Sequence, residues 1–273
     1  MIYLLITILT ILALFLALFL LYVVWFVRPQ GRQPEDASLL CNYAHRGLHG
    51  DGIPENSMKA FEAACEKGYG MELDIRLSKD GQVMVFHDNT LTRMTGCEKV
   101  FDTLNVSEIQ ELKLLDTDQT VPLFKDVLEL VDGRTPLLIE LKGEKLNSDL
   151  CKKAADLLKD YKGSYCIESF NPFLIREIKK HMPNCYTGQL FTNVCKNKKK
   201  YSIVNMLLSC MTFNFLAHPD FIAYSQTYRN SLPVKLTTKF YKAPKFVWTI
   251  KTEEQAENAK NNNECMIFEK ILV

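Results

Sequence analysis

Charged residues recur two positions apart at the ends of two short apolar stretches of the sequence. Glu72 and Asp74 stand in Tyr69–Leu77, and Glu140 and Lys142 stand at the end of a later stretch. Side chains two residues apart on a β-strand point to the same side. Three carboxylates gathered on neighbouring strands would repel each other, and burying them without a cation is costly. We therefore expect Glu72, Asp74 and Glu140 to bind one divalent ion.

The ligand type narrows the choice of ion. Carboxylate oxygens suit Mg²⁺ or Ca²⁺ better than zinc, which prefers nitrogen and sulfur. The three carboxylates, a divalent ion, Arg46 and Lys142 leave one net positive charge, which a phosphodiester anion would neutralise. The alternative is a buried salt-bridge network of Arg46, Asp74, Glu140 and Lys142 without metal.

Two histidines stand next to these segments. His45 precedes Arg46, and His87 lies in the stretch Phe86–Asp88. Cleavage of a phosphodiester requires one group to remove a proton from the nucleophile and another to donate one to the leaving oxygen. Imidazole performs either task near neutral pH. We expect His45 and His87 to form an acid–base pair, with His45 as the base because it lies beside the carboxylate strand.

Strands and helices alternate along most of the chain, which is typical of a closed parallel barrel. The predicted strands are Leu39–Ala44, Tyr69–Leu77, Leu137–Leu141, Ser164–Ile167, Tyr186–Leu190, Phe221–Tyr224, Phe246–Ile250 and Met266–Phe268. Asn56 is predicted to cap the first barrel helix. About sixty residues separate the second strand from the third, too many for one loop and helix. The prediction is an α/β fold, a TIM-type (β/α)8 barrel with an insertion after the second strand, at about 79–135, which contains an extra strand, Gln82–Phe86.

The amino terminus is strongly apolar. No charged residue occurs from Ile2 to Val27, long enough for a helix to cross a bilayer. A cleavable signal peptide is the alternative, but its apolar region would be shorter and preceded by basic residues. We expect a transmembrane anchor at 1–28, a linker at 29–38 and a barrel domain at 39–273.

Orientation and partners follow from charge and cysteine content. Arg28 and Arg32 follow the apolar segment, so the positive-inside rule favours a single-pass protein with a cytoplasmic catalytic domain. The nine cysteines, an odd number, show no paired spacing, which agrees with that orientation. A net charge of +1 gives no support for nucleic-acid binding.

The sequence resembles the glycerophosphodiester phosphodiesterase family, as a membrane-anchored, bacterial-type member. The resemblance rests on ordered motifs: H-R-G, P-E-N-S, E-L-D, K-D-G, V-F-H-D, L-x-R-x-T, V-P-L-F and I-E-L-K, all between residues 44 and 142. It implies hydrolysis to glycerol 3-phosphate and an alcohol. It also implies that Glu72, Asp74 and Glu140 bind the metal, that His45 and His87 are catalytic, and that Arg46, Lys142 and Trp248 bind substrate.

Two regions depart from the family pattern. A lysine-rich stretch and an apolar run occupy 196–216, where a barrel helix or a lipid-bound amphipathic helix is expected. Phe268–Lys270 replaces a small polar motif, which puts substrate contacts there in doubt. The alternatives to glycerophosphodiester hydrolysis are therefore lysophospholipase D-like cleavage of lipid diesters such as lysophospholipids, and a non-catalytic, phosphate-binding membrane scaffold. The sequence is silent on oligomeric state.

Overall fold

Eight parallel strands form a closed barrel in the computed structural model, which describes residues 1–143 and 148–273. The strands of the sheet are β1 Tyr43–Ala44, β2 Gly70–Leu77, β3 Val83–Val85, β4 Leu137–Leu141, β5 Tyr165–Ser169, β6 Thr187–Phe191, β7 Phe221–Ser225, β8 Lys245–Ile250 and β9 Cys265–Phe268. All except β3 run parallel, and β1 pairs with both β2 and β9. The TIM-type barrel predicted from the sequence is confirmed.

The helices follow the strands around the barrel. They are α1 Ile2–Leu21, α2 Met58–Lys67, α3 Thr92–Thr95, α4 Val106–Gln110, α5 Phe124–Val131, α6 Ser148–Leu158, α7 Pro172–His181, α8 Val194–Lys198, α9 Ile203–Ser209, α10 Asn214–Ala217, α11 Leu232–Lys235 and α12 Glu253–Asn261. Short 3₁₀ turns cover Ala37–Leu39, Phe101–Thr103 and Gln226–Tyr228, and π-helical turns cover Tyr22–Phe26 and Leu236–Phe240.

The chain between β2 and β4 adds a small subdomain to the barrel. Strand β3 pairs antiparallel with the end of β2, with Ile75 opposite Val85. Met84 of β3 and residues that follow β3, such as Phe101 and Ile109, form an apolar cluster of their own, separate from the main core. This segment therefore projects from the carboxyl end of β2, the end at which barrel enzymes carry their active sites.

Local hydrogen bonds explain where the first elements begin. Asp36 accepts from the backbone N–H of Ser38 and starts the turn Ala37–Leu39, so β1 is shorter than predicted. Ser57, and not Asn56, caps α2 by accepting from Ala60 N–H. The predicted cap is therefore wrong by one residue, which leaves the Asn56 side chain available for another contact.

Helix α1 and the turn after it form one apolar rod outside the barrel. Ile2–Phe26 has a mean hydropathy of 3.1, and none of its most apolar window is buried. Such a helix fits a membrane span or a signal sequence. The chain after it packs on the barrel: Val27 is fully buried in the main core, and its carbonyl accepts from the buried Asn214 amide at 2.8 Å. All nine cysteines lie in the described part of the chain, and their thiols are free.

Candidate active site

A row of carboxylates crosses three neighbouring strands inside the carboxyl end of the barrel. Asp74 on β2 lies in register with Glu140 on β4, which lies in register with Glu168 on β5. Glu72 stands two residues before Asp74 and shares its side of β2. One carboxylate oxygen each of Glu72, Asp74 and Glu140 lies within 4.8 Å of the others, and all three residues are buried. The structure thus brings the three predicted metal ligands together.

Two cationic side chains face this row. Lys142 Nζ lies 2.7 Å from Glu140 Oε1 and 2.9 Å from Asp74 Oδ1. Arg46 Nε lies 3.5 Å from Asp74 Oδ2, and its Nη1 donates to Glu55 Oε1 at 2.7 Å. The buried cations are therefore outnumbered by the buried carboxylates around them.

The pKa values show the same imbalance. Burial, reinforced by the charges of Asp74 and Glu140, raises the pKa of Glu72 well above its usual range. Burial also raises the pKa of Glu140 to about 7, against the attraction of Lys142. The pKa of Asp74 is lowered instead, because the cations, Lys142 first, outweigh its burial. A hard dication among these oxygens would remove the repulsion, so the donor set fits Mg²⁺ or Ca²⁺.

The salt-bridge network considered as an alternative exists, but it leaves groups unsatisfied. Asp74 Oδ1 and Arg46 Nε are buried without a well-aligned hydrogen bond among the described residues. Buried polar groups in native proteins normally have partners. A network that served stability alone would therefore cost more folding free energy than it contributes.

A tight turn after β1 places Arg46 over the carboxylates. Arg46 adopts a left-handed backbone conformation with φ of 58°, and its N–H donates to Glu72 Oε2 at 2.9 Å. Gly47 follows with φ of 78°, and a Cβ there would come within 2.9 Å of the Ala60 backbone. The glycine of the H-R-G motif is thus required by close packing against α2.

His45 is held by a carboxylate from the opposite end of the chain. Its Nδ1 lies 2.7 Å from Glu269 Oε2, and its Nε2 lies 3.9 Å from Glu72 Oε2. Lys251 contacts the other Glu269 oxygen at 2.5 Å, and His49 Nε2 lies 3.8 Å away from Glu269 Oε2. The Glu269 bond to Nδ1 fixes the ring so that Nε2 points toward the metal ligands. The His49 side chain is itself largely buried.

His87 has an analogous arrangement on the insertion side. Its Nδ1 lies 2.6 Å from Asp88 Oδ1, and Arg93 Nε donates to Asp88 Oδ2 at 2.6 Å. Arg93 also donates to both oxygens of Glu55, which in turn binds Arg46. This chain of charged groups ties the insertion to the turn after β1. Burial lowers the pKa of both His45 and His87, and the carboxylate on each Nδ1 opposes that effect.

Three residues of the site were not assigned to it from the sequence. Glu168 continues the carboxylate row, and burial raises its pKa well above the usual range. Glu269 orients His45. Asn56 donates from Nδ2 to Asp74 Oδ2 at 2.8 Å. Asn56 and Glu269 lie in segments that the sequence had marked, whereas Glu168 was placed just beyond its strand.

Trp248 lies in the wall of an apolar cleft at the same end of the barrel. Its Nε1 donates to Ala223 O at 3.1 Å, and its ring meets Phe170 edge-on with centroids 5.5 Å apart. The cleft measures about 650 Å³ and lies between the ends of β5, β6 and β8 and the segment 194–214. Trp248 therefore forms part of the wall of the cleft.

Comparison with known proteins agrees with this geometry. The profile of the "Glycerophosphoryl diester phosphodiesterase family" matches residues 45–271. The chain is 33% identical over 159 residues to a glycerophosphodiester phosphodiesterase of Caldanaerobacter subterraneus subsp. tengcongensis, over 54% of this chain and 65% of that protein. It is 37% identical over 131 residues to a human lysophospholipase D, over 43% of this chain and 40% of that protein. The chain thus spans about two fifths to two thirds of these relatives.

Solved structures share the fold over most of the chain. A glycerophosphodiester phosphodiesterase from Thermotoga maritima superposes with a TM-score of 0.64 at 27% identity, covering 83% of this chain and 92% of that one. A phosphodiesterase from Oleispira antarctica, solved with the product sn-glycerol-3-phosphate, gives a TM-score of 0.69 at 22% identity, covering 84% and 92%. The second likeness establishes the fold alone.

Proposed function

Because the chain belongs to the glycerophosphoryl diester phosphodiesterase family, we propose that it hydrolyses glycerophosphodiesters to glycerol 3-phosphate and an alcohol. One observation carries the proposal: three carboxylates within 4.8 Å of one another stand between two cations and two carboxylate-anchored histidines. The Oleispira antarctica relative, which holds sn-glycerol-3-phosphate as product, has the same fold.

Glu72, Asp74 and Glu140 are the proposed ligands of one divalent ion, Mg²⁺ or Ca²⁺. When bound, the ion would screen the charge of the phosphoryl group and lower the pKa of an attacking hydroxyl. Arg46 and Lys142 lie beside two of these carboxylates and are free to turn their remaining N–H groups to phosphate oxygens. Trp248 is proposed to contact the substrate beyond the phosphate.

The histidines divide the proton transfers. His45 Nε2, which faces Glu72, takes the proton of the substrate's glycerol hydroxyl as that oxygen bonds to phosphorus and forms a cyclic phosphodiester. Water then opens the cyclic phosphodiester to glycerol 3-phosphate, and His45 returns its proton to the glycerol oxygen that leaves phosphorus. His87, protonated before the step, donates a proton to the alcohol oxygen as the bond between that oxygen and phosphorus breaks, and it takes a proton back from the water that opens the cyclic phosphodiester. Glu269 and Asp88 stabilise each imidazolium when it is formed, because each accepts from the Nδ1–H.

The amino-terminal helix is proposed to remain as a single-pass anchor, with the barrel facing the cytoplasm. Val27 is fully buried and its carbonyl is bound by Asn214, so the chain just after the helix is part of the folded domain. Arg28 and Arg32 on that side and the free thiols support the cytoplasmic orientation.

A second candidate, lysophospholipase D-like hydrolysis of lipid diesters, is favoured by the apolar cleft beside the charged site. Relatives named lysophospholipase D match this chain. The third alternative, a non-catalytic scaffold, has no such support, because the carboxylate and histidine sets are both complete.

The test separates metal binding from proton transfer. With glycerophosphocholine as substrate and Mg²⁺ or Ca²⁺ restored after chelation, His87→Ala should abolish turnover with metal affinity nearly unchanged. Glu72→Ala should lose both, because it removes a ligand. His181→Ala, on the outer helix α7, is the matched control and should retain full activity. Near-normal turnover of His87→Ala, or of wild type in excess chelator, would refute the assignment.

A further inference from the structure

A second cluster of metal-ligand groups adjoins the carboxylate row. It consists of His45, Glu269 and His49, the last of which lies in the loop after the H-R-G turn. The cluster offers two imidazole nitrogens and one carboxylate oxygen, and these ligand atoms all lie within 4.8 Å of one another. No member of it belongs to the set of three carboxylates, so the two candidate metal sites are distinct.

The spacing of the ligand atoms suits a tetrahedral metal site. Glu269 Oε2 lies 2.7 Å from His45 Nδ1 and 3.8 Å from His49 Nε2. Zinc bonds to nitrogen and oxygen are about 2.0–2.2 Å long, which places two ligands of a tetrahedral site about 3.3–3.6 Å apart. The two distances in the protein lie on either side of this range. Small side-chain movements are therefore enough to complete the site.

The ligand atom of His49 lacks a hydrogen bond. The side chain is 16% exposed, and Nε2 is buried without a hydrogen-bond partner in the part of the chain that the structure describes. The 3.8 Å contact with Glu269 is too long for a hydrogen bond, so the carboxylate does not satisfy this nitrogen. Buried polar atoms normally have partners, and a metal ion at this position supplies one.

Contacts around the cluster hold its members in place. Next to His49, Gly50 and Ile53 exchange both of their backbone hydrogen bonds and close the loop. Lys251 contacts the other oxygen of Glu269, which leaves Oε2 for the two histidines. Ligands that are oriented by such outer contacts are prepared for an ion before it binds.

The donor types select a different class of ion from the carboxylate row. Two imidazoles and one carboxylate are typical of Zn²⁺ and of neighbouring transition-metal ions. Mg²⁺ and Ca²⁺ prefer oxygen ligands alone, which the carboxylate row provides. One protein can therefore hold a hard ion and a transition-metal ion side by side, with the His45 ring between them: its Nδ1 faces Glu269, and its Nε2 lies 3.9 Å from Glu72 Oε2.

We propose that His45, His49 and Glu269 bind a transition-metal ion of the Zn²⁺ type, and that this ion inhibits the enzyme. The inhibition rests on the proposed function, because it acts through His45. The ion takes the place of the proton on Nδ1 of the neutral ring, and that proton moves to Nε2. The ring then has no free nitrogen that could accept the proton of the substrate hydroxyl.

Calorimetry with Zn²⁺ tests the site independently of activity. The full chain in detergent micelles is first saturated with Mg²⁺, which fills the carboxylate site, and is then titrated with Zn²⁺. His49→Gln removes a ligand, so the apparent Kd for Zn²⁺ should rise at least about tenfold, since loss of even an outer contact of a zinc ligand costs about 10- to 100-fold. His181→Gln, on the outer helix α7, is the matched control and should bind Zn²⁺ as wild type does.

The free cysteines are a competing destination for zinc, and Co²⁺ separates the two. Co²⁺ bound to nitrogen and oxygen should show no sulfur-to-metal charge-transfer absorption, whereas such a band would place the ion on thiols and would contradict the proposal. Glu269→Gln guards against misfolding of His49→Gln. It removes another ligand of the same site, so it should also weaken Zn²⁺ binding at least about tenfold.

Turnover of glycerophosphocholine shows what the ion does. Zn²⁺ should inhibit wild type, and a higher Mg²⁺ concentration should not relieve the inhibition, because the two ions occupy different sites. His49→Gln should retain turnover close to wild type before zinc is added. The Zn²⁺ concentration that halves its turnover should then rise at least about tenfold, in step with its Kd.

The possible failures of the two proposals are distinct. A Zn²⁺ affinity that neither His49→Gln nor Glu269→Gln changes, or an inhibition that excess Mg²⁺ relieves, would overturn the zinc site. Wild type that binds Zn²⁺ and loses this binding in His49→Gln, yet shows no turnover before zinc is added, would overturn the proposed function and leave the metal site established.

Discussion

Replacement of Glu269 by glutamine tests whether the carboxylate on His45 contributes to catalysis. The bond between His45 Nδ1 and Glu269 Oε2 is 2.7 Å long and partly buried. A hydrogen bond to a charged group contributes about 1.5–3 kcal/mol. Glutamine preserves the shape but removes the charge, so stabilisation of the imidazolium is lost, and kcat should fall about 10- to 100-fold.

The pH profile gives the sharper result. Burial lowers the pKa of His45, and the Glu269 bond opposes that effect. Without the carboxylate the pKa of His45 falls further, because the imidazolium loses its hydrogen-bond partner. If His45 is the base, the acidic limb of kcat/KM against pH moves to lower pH. If it is the acid, the alkaline limb moves down instead.

The control is Lys251→Met, which removes the exposed partner of the other Glu269 oxygen. Because exposed ion pairs contribute little, its kcat should change by less than about threefold. Thermal unfolding of each variant reports whether the fold is intact. A Glu269→Gln enzyme with wild-type turnover and an unshifted profile would refute a catalytic role for this carboxylate, and an equal loss in Lys251→Met would assign the effect to the surface ion pair.

Three further outcomes are expected. Protons compete with the metal for Glu140, whose pKa is about 7 in the metal-free protein, and for Glu72, whose pKa is also raised. The apparent metal Kd from calorimetry should therefore rise at least about tenfold for each pH unit below 7, and a pH-independent Kd would contradict this. Burial raises the pKa of Glu168, which favours the neutral acid, so the neutral amide of Glu168→Gln should leave turnover and melting temperature close to wild type. A large loss of metal affinity would show instead that Glu168 is an ionised ligand. Asn56→Gly removes the hydrogen-bond donor to Asp74, and glycine tolerates the positive φ at this position. Metal affinity, measured by calorimetry, should therefore weaken about tenfold, while stability, measured by thermal unfolding, should stay nearly constant.

The barrel could be predicted from the sequence because apolar stretches mark its strands. β4 occurs at the predicted residues Leu137–Leu141, and β2 differs from its prediction by one residue. Errors occur where polar side chains belong inside the barrel. The predicted fourth strand ended at Ile167, yet β5 continues through Glu168 to Ser169. The inside of the carboxyl end is a binding site, so the rule that strand interiors are apolar fails there.

The charged centre was predictable in part for a related reason. Glu72, Asp74 and Glu140 stand in short motifs, and each motif brings its residues to one side of one strand. Glu269 could not be placed in this way, because it lies 224 residues from His45. The two meet only when β9 closes the barrel against β1, with Phe268 paired to Ala44. A contact that forms only when the barrel closes leaves no local motif in the sequence.

The short connection between the apolar rod and the barrel limits how far the barrel can move relative to the rod. A flexible tether lets a domain explore a volume that grows with tether length. Here Val27 is already inside the core, and Arg32 is bound to Asp220 and to the Asn184 carbonyl. Almost no flexible chain therefore separates the apolar rod from the barrel. With the rod held in a bilayer, the catalytic mouth would stay at a fixed height and tilt above the lipid. The rate of substrate binding would then depend on the amount of substrate per unit of membrane area. Substrates dissolved far from the membrane would seldom reach the site.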